Sequence, residues 1–133
     1  VCIVLDSSVL ISAERAGQTP RKIIGDIIVK HGDIEAVLSL ITVAELAHGI
    51  ERAHSTERRL ARERFLDQLL SEITVESITT AIAFRAGRLD GSLKAQGIHV
   101  ALGDLFIGAA ALELGTRYSP AMSATFGRFP ALL

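Results

Sequence analysis

The chain has 133 residues, 49% of them apolar and 22% charged, proportions that suit one folded domain over 1–133 and exclude a disordered or collagen-like chain. Fourteen Lys and Arg against 15 Asp and Glu leave a net charge of -1, so overall charge gives no attraction to nucleic acid, and any such binding must rest on local patches. The lone cysteine, Cys2, excludes intramolecular disulfides and cysteine-based zinc sites and reads as a small core residue. The stretch before Asp6 is too short for a signal peptide, and no apolar run approaches the roughly 18 residues of a membrane span, which makes a cytoplasmic protein the expectation.

The opening residues, Val1-Cys2-Ile3-Val4-Leu5, predict a strand covered on both faces, and they run directly into Asp6, Ser7 and Ser8. Open parallel sheets bind ligands beyond such strand ends. A helix is expected over 7–15, capped by Ser and ended by Gly17. A second is expected over 20–30, with Pro20 in its first turn and Ile23, Ile24, Ile27 and Ile28 as an apolar stripe. Residues 36–40 predict a second strand leading into a helix that starts at Thr42. An amphipathic helix over 52–71, with Leu60, Phe65, Leu66, Leu69 and Leu70 available for packing, completes an αα-hairpin with its predecessor. A third strand follows at 73–75, then a helix over 77–95 on which Ile78, Ile82, Ala86, Leu89 and Leu93 recur, ended by Gly97. After a loop or edge segment over 99–103, the helix from Asp104 to Gly115 is apolar nearly all round, as a buried central helix must be. A weak strand is expected at 117–119. Short strands alternating with helices predict an α/β sandwich with a mainly parallel sheet.

Four acidic residues have both a structural and a chemical reading. Asp6 follows a buried strand, where a carboxylate must be hydrogen-bonded or bind a cation, yet it also stands where a helix cap would. Glu45 completes the capping-box pattern Thr42-Val43-Ala44-Glu45, which local sequence favours. On a helical wheel it shares a face with His48, Gly49 and Arg52, free to meet solvent or a cleft. Asp90 lies on the shoulder of its helix, with Arg85, Arg88 and Lys94 available for ion pairs. Asp104 opens an apolar helix, where the macrodipole and capping favour an acid but the helix start is itself internal. Gathered at one end of the sheet, these oxygen ligands would suit Mg²⁺ or Mn²⁺. Such a site activates water and stabilises charge developing on a phosphodiester, which points to nucleic-acid hydrolysis. None of the four histidines has an HExxH spacing, and His48 and His99 read as structural or surface residues.

The segments Val4-Leu5-Asp6-Ser7-Ser8-Val9-Leu10-Ile11, Ile41-Thr42-Val43-Ala44-Glu45-Leu46-Ala47-His48-Gly49-Ile50, Ala86-Gly87-Arg88-Leu89-Asp90-Gly91, Gly103-Asp104-Leu105-Phe106-Ile107-Gly108-Ala109-Ala110-Ala111-Leu112-Glu113-Leu114-Gly115 and Phe126-Gly127-Arg128-Phe129-Pro130-Ala131-Leu132 follow one another in the order and spacing of a known family. The chain resembles PIN-domain proteins, and among them the VapC-type toxins of bacterial toxin–antitoxin pairs. The resemblance implies a PIN-like three-layer α/β/α sandwich with a mainly parallel central sheet and a helical hairpin. It implies a Mg²⁺-dependent endoribonuclease, with Mn²⁺ able to substitute, whose catalytic acids are Asp6, Glu45, Asp90 and Asp104. Asp6 and Asp104 would be the main metal ligands, Glu45 and Asp90 would bind through water or orient it, and Ser7 or Ser8 would hold the Asp6 carboxylate. The implied partners are an RNA substrate, a VapB-like antitoxin docked on the hairpin over 42–70, and a second copy of the chain, assembled into larger toxin–antitoxin complexes away from any membrane. Arg58, Arg59, Arg62 and Arg64 on that hairpin read more readily as a solvated helix face than as RNA or antitoxin contacts.

The chain departs from the family at Met122, where many relatives carry Asn or Asp; Met cannot ligate Mg²⁺, leaving Ser119, Ser123 or Thr125 as weak substitutes. A catalytically weakened PIN-fold module that binds antitoxin or RNA is therefore the alternative. A phosphoryl-transfer enzyme with Asp6 as nucleophile is disfavoured, because Asp6-Ser7-Ser8 lacks the second Asp of such hydrolases.

Overall fold

A computed structural model describes residues 2–115. The strand expected at 117–119, Met122 and the terminal Phe-rich motif lie outside the described residues. Three strands and six helices occur within them: β1 (Cys2–Leu5), α1 (Ser7–Arg15), α2 (Pro20–His31), β2 (Glu35–Ser39), α3 (Leu40–Glu51), α4 (Thr56–Glu72), β3 (Thr74–Glu76), α5 (Thr80–Ala95) and α6 (Leu102–Glu113). All strand pairs are parallel, in the order β1-β2-β3, with Leu5 opposite Leu38 and Leu38 opposite Val75. That register brings the carboxyl ends of β1 and β2 level, so the segments that follow them, Asp6 and the start of α3, emerge side by side.

Side chains of a strand alternate between faces, and β1 distributes its residues accordingly. Ile3 and Leu5 join Leu38 of β2 in a core with Leu10 and Ala13 of α1, Ile23 and Ile27 of α2, Leu46 of α3, and Phe65 and Leu69 of α4. Val4, between them, packs against the second core, where Ile82, Ala86 and Leu93 of α5 meet Leu105, Ile107 and the alanines 109, 110 and 111 of α6. Helices thus cover both faces of the sheet, giving the α/β/α sandwich expected from the sequence. The small side chains of α6 let it lie close to its neighbours, and it packs on α5, α3 and β1.

Helix starts are fixed by side chains that accept orphan amides. The Lys22 amide donates to Thr19 Oγ1 at 3.2 Å, Arg58 to Ser55 Oγ at 3.1 Å and Ile82 to Thr79 Oγ1 at 3.2 Å. Four helix starts differ from those predicted. α4 begins at Thr56 rather than at 52, with Ser55 as its cap. α3 begins at Leu40, capped by Ser39, whose Oγ accepts the Ile41 amide at 3.2 Å; Thr42 is therefore inside the first turn and no capping box forms with Glu45. α5 begins at Thr80 rather than at 77, with Thr79 as its cap. α6 begins at Leu102, so 102–103 are helical and Asp104 sits within the first turn. On α4, Phe65 and Leu69 fill the core, whereas Leu60 and Leu70 stay 43% and 42% exposed, because the buried stripe of this charged helix is narrow. Gly17 and Gly97, with φ of +74° and +76°, end α1 and α5 in the left-handed region where a β-carbon is strained.

Thr42 does something other than capping. It is wholly buried, and its hydroxyl donates to the Leu5 carbonyl at 3.3 Å, tying the first turn of α3 to the last residue of β1. Cys2, half-buried on β1, has its thiol pKa pushed up chiefly by burial and further by Glu35, its register partner, and by Glu76.

Two outcomes follow. Thr42→Val should lower the free energy of urea unfolding by about 1 kcal/mol through loss of this buried bond, while Thr42→Ser should retain most of it; a valine variant as stable as the parent contradicts that role. Because the raised pKa leaves less thiolate at any given pH, Cys2 should alkylate with iodoacetamide at pH 8 more slowly than a free thiol. Labelling at the free-thiol rate contradicts it.

Candidate active site

The end of β1 delivers Asp6 to the N-cap position of α1, with extended backbone angles, but its carboxylate caps no helix amide. At 3% exposure it draws its hydrogen bonds from hydroxyls instead. Ser8 Oγ donates to Oδ2 at 3.0 Å, and Ser7 Oγ lies 3.5 Å from Oδ1. Of the two structural options for Asp6, satisfaction by hydrogen bonding is the one realised.

Ser7 has a second and closer acceptor, Glu45 Oε2. A hydroxyl carries one proton, so the nearer carboxylate takes it and the two serines divide their work: Ser8 serves Asp6, and Ser7 serves Glu45. Glu45 reaches this place because Thr42, one helical turn before it, is anchored on Leu5. The capping-box spacing therefore has a tertiary cause, with both residues facing the end of β1.

α6 closes the third side. Gly103 in its first turn abuts α3: a β-carbon there would stand 3.2 Å from Glu45 Oε1 and 3.2 Å from Ile41 Cγ2. Asp104 follows immediately, half-buried, where the partial positive charge of a helix N-terminus favours a carboxylate. Asp6, Glu45 and the start of α6 thus border one region at the carboxyl end of the sheet, where parallel sheets place ligands. Asp90, on α5, is paired with Lys94 one turn on, Nζ to Oδ2 at 2.9 Å, with its side chain 30% exposed. Among the described residues, no three acidic, His or Cys side chains gather tightly enough to form an all-protein ion cage.

Three of the four arginines on α4 have partners within the chain. Arg58 pairs with Glu14 at 3.3 Å, Arg59 with Glu51 at 2.6 Å and Glu63 at 3.4 Å, and Arg62 donates to the Gly49 carbonyl. They fasten α4 to α1 and α3, in keeping with a solvated helix face. Beside them a small groove of about 90 Å³ lies between α1 and the hairpin, lined by Ile11, Leu46, Phe65 and Leu66 with Glu14 and Arg62.

Sequence reasoning misread two residues of this region. Thr42 was assigned to a cap and Gly103 to a loop; the one available signal was a glycine placed directly before the acid that opens the most apolar helix.

Comparison with known proteins follows this geometry. The PIN domain profile matches residues 3–118. Curated protein sequences give no match. Solved structures do. VapBC-1 from nontypeable Haemophilus influenzae is similar with a TM-score of 0.73 and 24% identity, covering 98% of this chain and 94% of that one. FitAcB from Neisseria gonorrhoeae gives 0.71 and 21%, covering 95% and 91%. VapBC2 from Rickettsia felis, bound to a DNA fragment from their promoter, gives 0.71 and 20%, covering 87% and 84%. Identities this low speak to the fold, and the fold is the one described above.

Proposed function

Because the chain belongs to the PIN domain family, we propose that it is a Mg²⁺-dependent endoribonuclease, the VapC-type toxin of a toxin–antitoxin pair, which hydrolyses RNA phosphodiester bonds. The observation that carries this reading is the pair of carboxylates at the sheet end, each held by its own hydroxyl, Asp6 by Ser8 and Glu45 by Ser7, set beside the first turn of α6.

The donor set fits the metal. It consists of oxygen ligands alone, the carboxylates and hydroxyls that hard divalent cations take. Mg²⁺ keeps several of its waters and needs only one or two carboxylates from the protein, so the lack of an all-protein cage among the described residues agrees with its habits. Asp6 and Asp104 would hold it, with Glu45 acting through a water. Mn²⁺ would substitute, having the same taste for oxygen. When bound, the ion lowers the pKa of a coordinated water and offsets charge on the phosphate. The chain's own contributions are positional. Ser8 fixes the Asp6 carboxylate, Ser7 fixes that of Glu45, and Glu45 is then placed to orient a water or take its proton. Asp90 has the smallest part, since Lys94 already balances its charge.

The similar structures named VapBC and FitAcB support a VapB-like antitoxin as partner and a dimeric toxin within larger complexes. The apolar groove between α1 and the α3–α4 hairpin suits an antitoxin side chain. Among the described residues no helix is long and apolar enough to cross a membrane. The second reading, a weakened module that binds antitoxin or RNA, draws on Met122.

Cleavage of unfractionated bacterial RNA should require Mg²⁺ or Mn²⁺ and stop in chelator. Asp6→Asn and Asp104→Asn should lose about 100-fold or more, Glu45→Gln about 10- to 100-fold, and Asp90→Asn less, all with melting midpoints near the parent's. Cleavage indifferent to chelator, or to Asp6→Asn, would sink the nuclease reading. Absence of cleavage together with absence of acid-dependent Mn²⁺ binding would establish the weakened module.

A further inference from the structure

Gly103 stands apart from eight other glycines of the chain. A β-carbon built at residues 17, 25, 32, 49, 87, 91, 97 or 115 has no neighbour within 4 Å, whereas at Gly103 it meets two atoms at 3.2 Å. Its backbone does not demand glycine, since its φ is not positive and α6 is regular there. Alanine is the better helix former, so what glycine supplies at this point is space.

Both atoms in that space belong to α3, on residues four apart and hence on one face: Ile41 Cγ2 and Glu45 Oε1. Neither yields freely. Ile41 is β-branched and packs against the α5–α6 core, and the other oxygen of Glu45 is held by Ser7. A methyl group at 103 would push the carboxylate away from Ser7 or lift the start of α6, and Asp104 with it, off α3.

We propose that Gly103 is a positioning residue for the carboxylate site: by presenting no β-carbon, it lets the first turn of α6 close on Glu45 and holds that carboxylate in register with Ser7 and with the helix turn that carries Asp104. The proposal rests on the reading of Asp6, Glu45 and Asp104 as a metal site and adds to it a residue with no ligating atom.

The test is a cycle of Gly103→Ala against Glu45→Ala, read by Mn²⁺ titration calorimetry, by kcat and KM for RNA cleavage, and by melting midpoint. Gly103→Ala in the parent should weaken Mn²⁺ binding about tenfold and lower kcat by a similar factor with KM little changed. In the Glu45→Ala background the same substitution should cost clearly less Mn²⁺ affinity than in the parent, because the carboxylate oxygen it displaces is gone and only Ile41 Cγ2 remains in its way. Parent-like Mn²⁺ binding by Gly103→Ala overturns the proposal, and so do equal losses in both backgrounds. If Gly103→Ala does not fold, the melting midpoint decides: truncating Glu45 and Ile41 together to alanine must restore folding, and failure to do so overturns it. Glu45→Ala and Asp6→Asn alone separate the two ideas. If they leave Mn²⁺ binding and cleavage untouched, the metal-site reading falls and this proposal with it; if they abolish both while Gly103→Ala does nothing, only the proposal falls.

Discussion

The structure turns on what happens to the last peptide of β1. A parallel strand buried on both faces ends with polar backbone in the interior, and a segment leaving it must either reach water or find partners at once. Here the partner is Thr42, wholly buried, whose hydroxyl takes the Leu5 carbonyl. One bond of modest strength thereby fixes the angle at which α3 leaves β2, and with it which side chains of α3 face the end of β1. Glu45 lies one turn along from Thr42, so the same bond that satisfies the strand also aims the carboxylate. The remaining constraint comes from the opposite face, where the small side chains of α6 allow it to pack under β1 and bring Gly103 against Glu45. The site is thus a by-product of joining two cores across one strand end.

The strands and most helices were legible because their apolar periods are clean: Val4-Leu5 before Asp6, the isoleucine stripe of α2, the Phe65 and Leu69 pair of α4. The boundary of α3 was not. Ser39 and Thr42 both precede apolar runs, and both are good caps; only the position of β2's end, set by pairing with β1 and β3, decides that Ser39 caps and Thr42 lies inside. The capping-box match with Glu45 was then a correct pattern attached to the wrong cause. The same limit applies to the serines. That Ser7 or Ser8 would hold Asp6 could be anticipated, but their division between Asp6 and Glu45 depends on a contact 38 residues apart in sequence. Asp90 shows the converse, since a pair four residues apart on one helix is a local matter, and Lys94 was among its foreseeable partners while Arg85 instead takes Glu113.

The arginines of α4 show why charge counts mislead about partners. Four basic residues within seven positions suggest a surface for phosphates. Yet Arg58 and Arg59 reach acids at 43% and 46% side-chain exposure, where such pairs contribute little to stability, and Arg62 serves a backbone carbonyl. Arg58 crosses to α1, while Arg59 and Arg62 tie the two helices of the hairpin to each other beside the apolar groove. A groove with mixed charges at its rim and an apolar floor is better suited to a protein side chain than to a nucleic-acid backbone.

The same accounting bears on how RNA could approach the carboxylates. Asp6 and Glu45 each receive a hydroxyl proton, which steadies an anion without neutralising it. Lys94 is spent on Asp90, and the described arginines just discussed point their charge elsewhere. A phosphodiester brought to this sheet end would meet like charge at close range, an interaction that a partly buried setting makes stronger than it is in water. In the proposed function a divalent cation offsets that repulsion and helps the site hold its substrate. The placement of Ser7 and Ser8 fits that demand, because two carboxylates already oriented by hydroxyls lose little further freedom when an ion and its waters arrive.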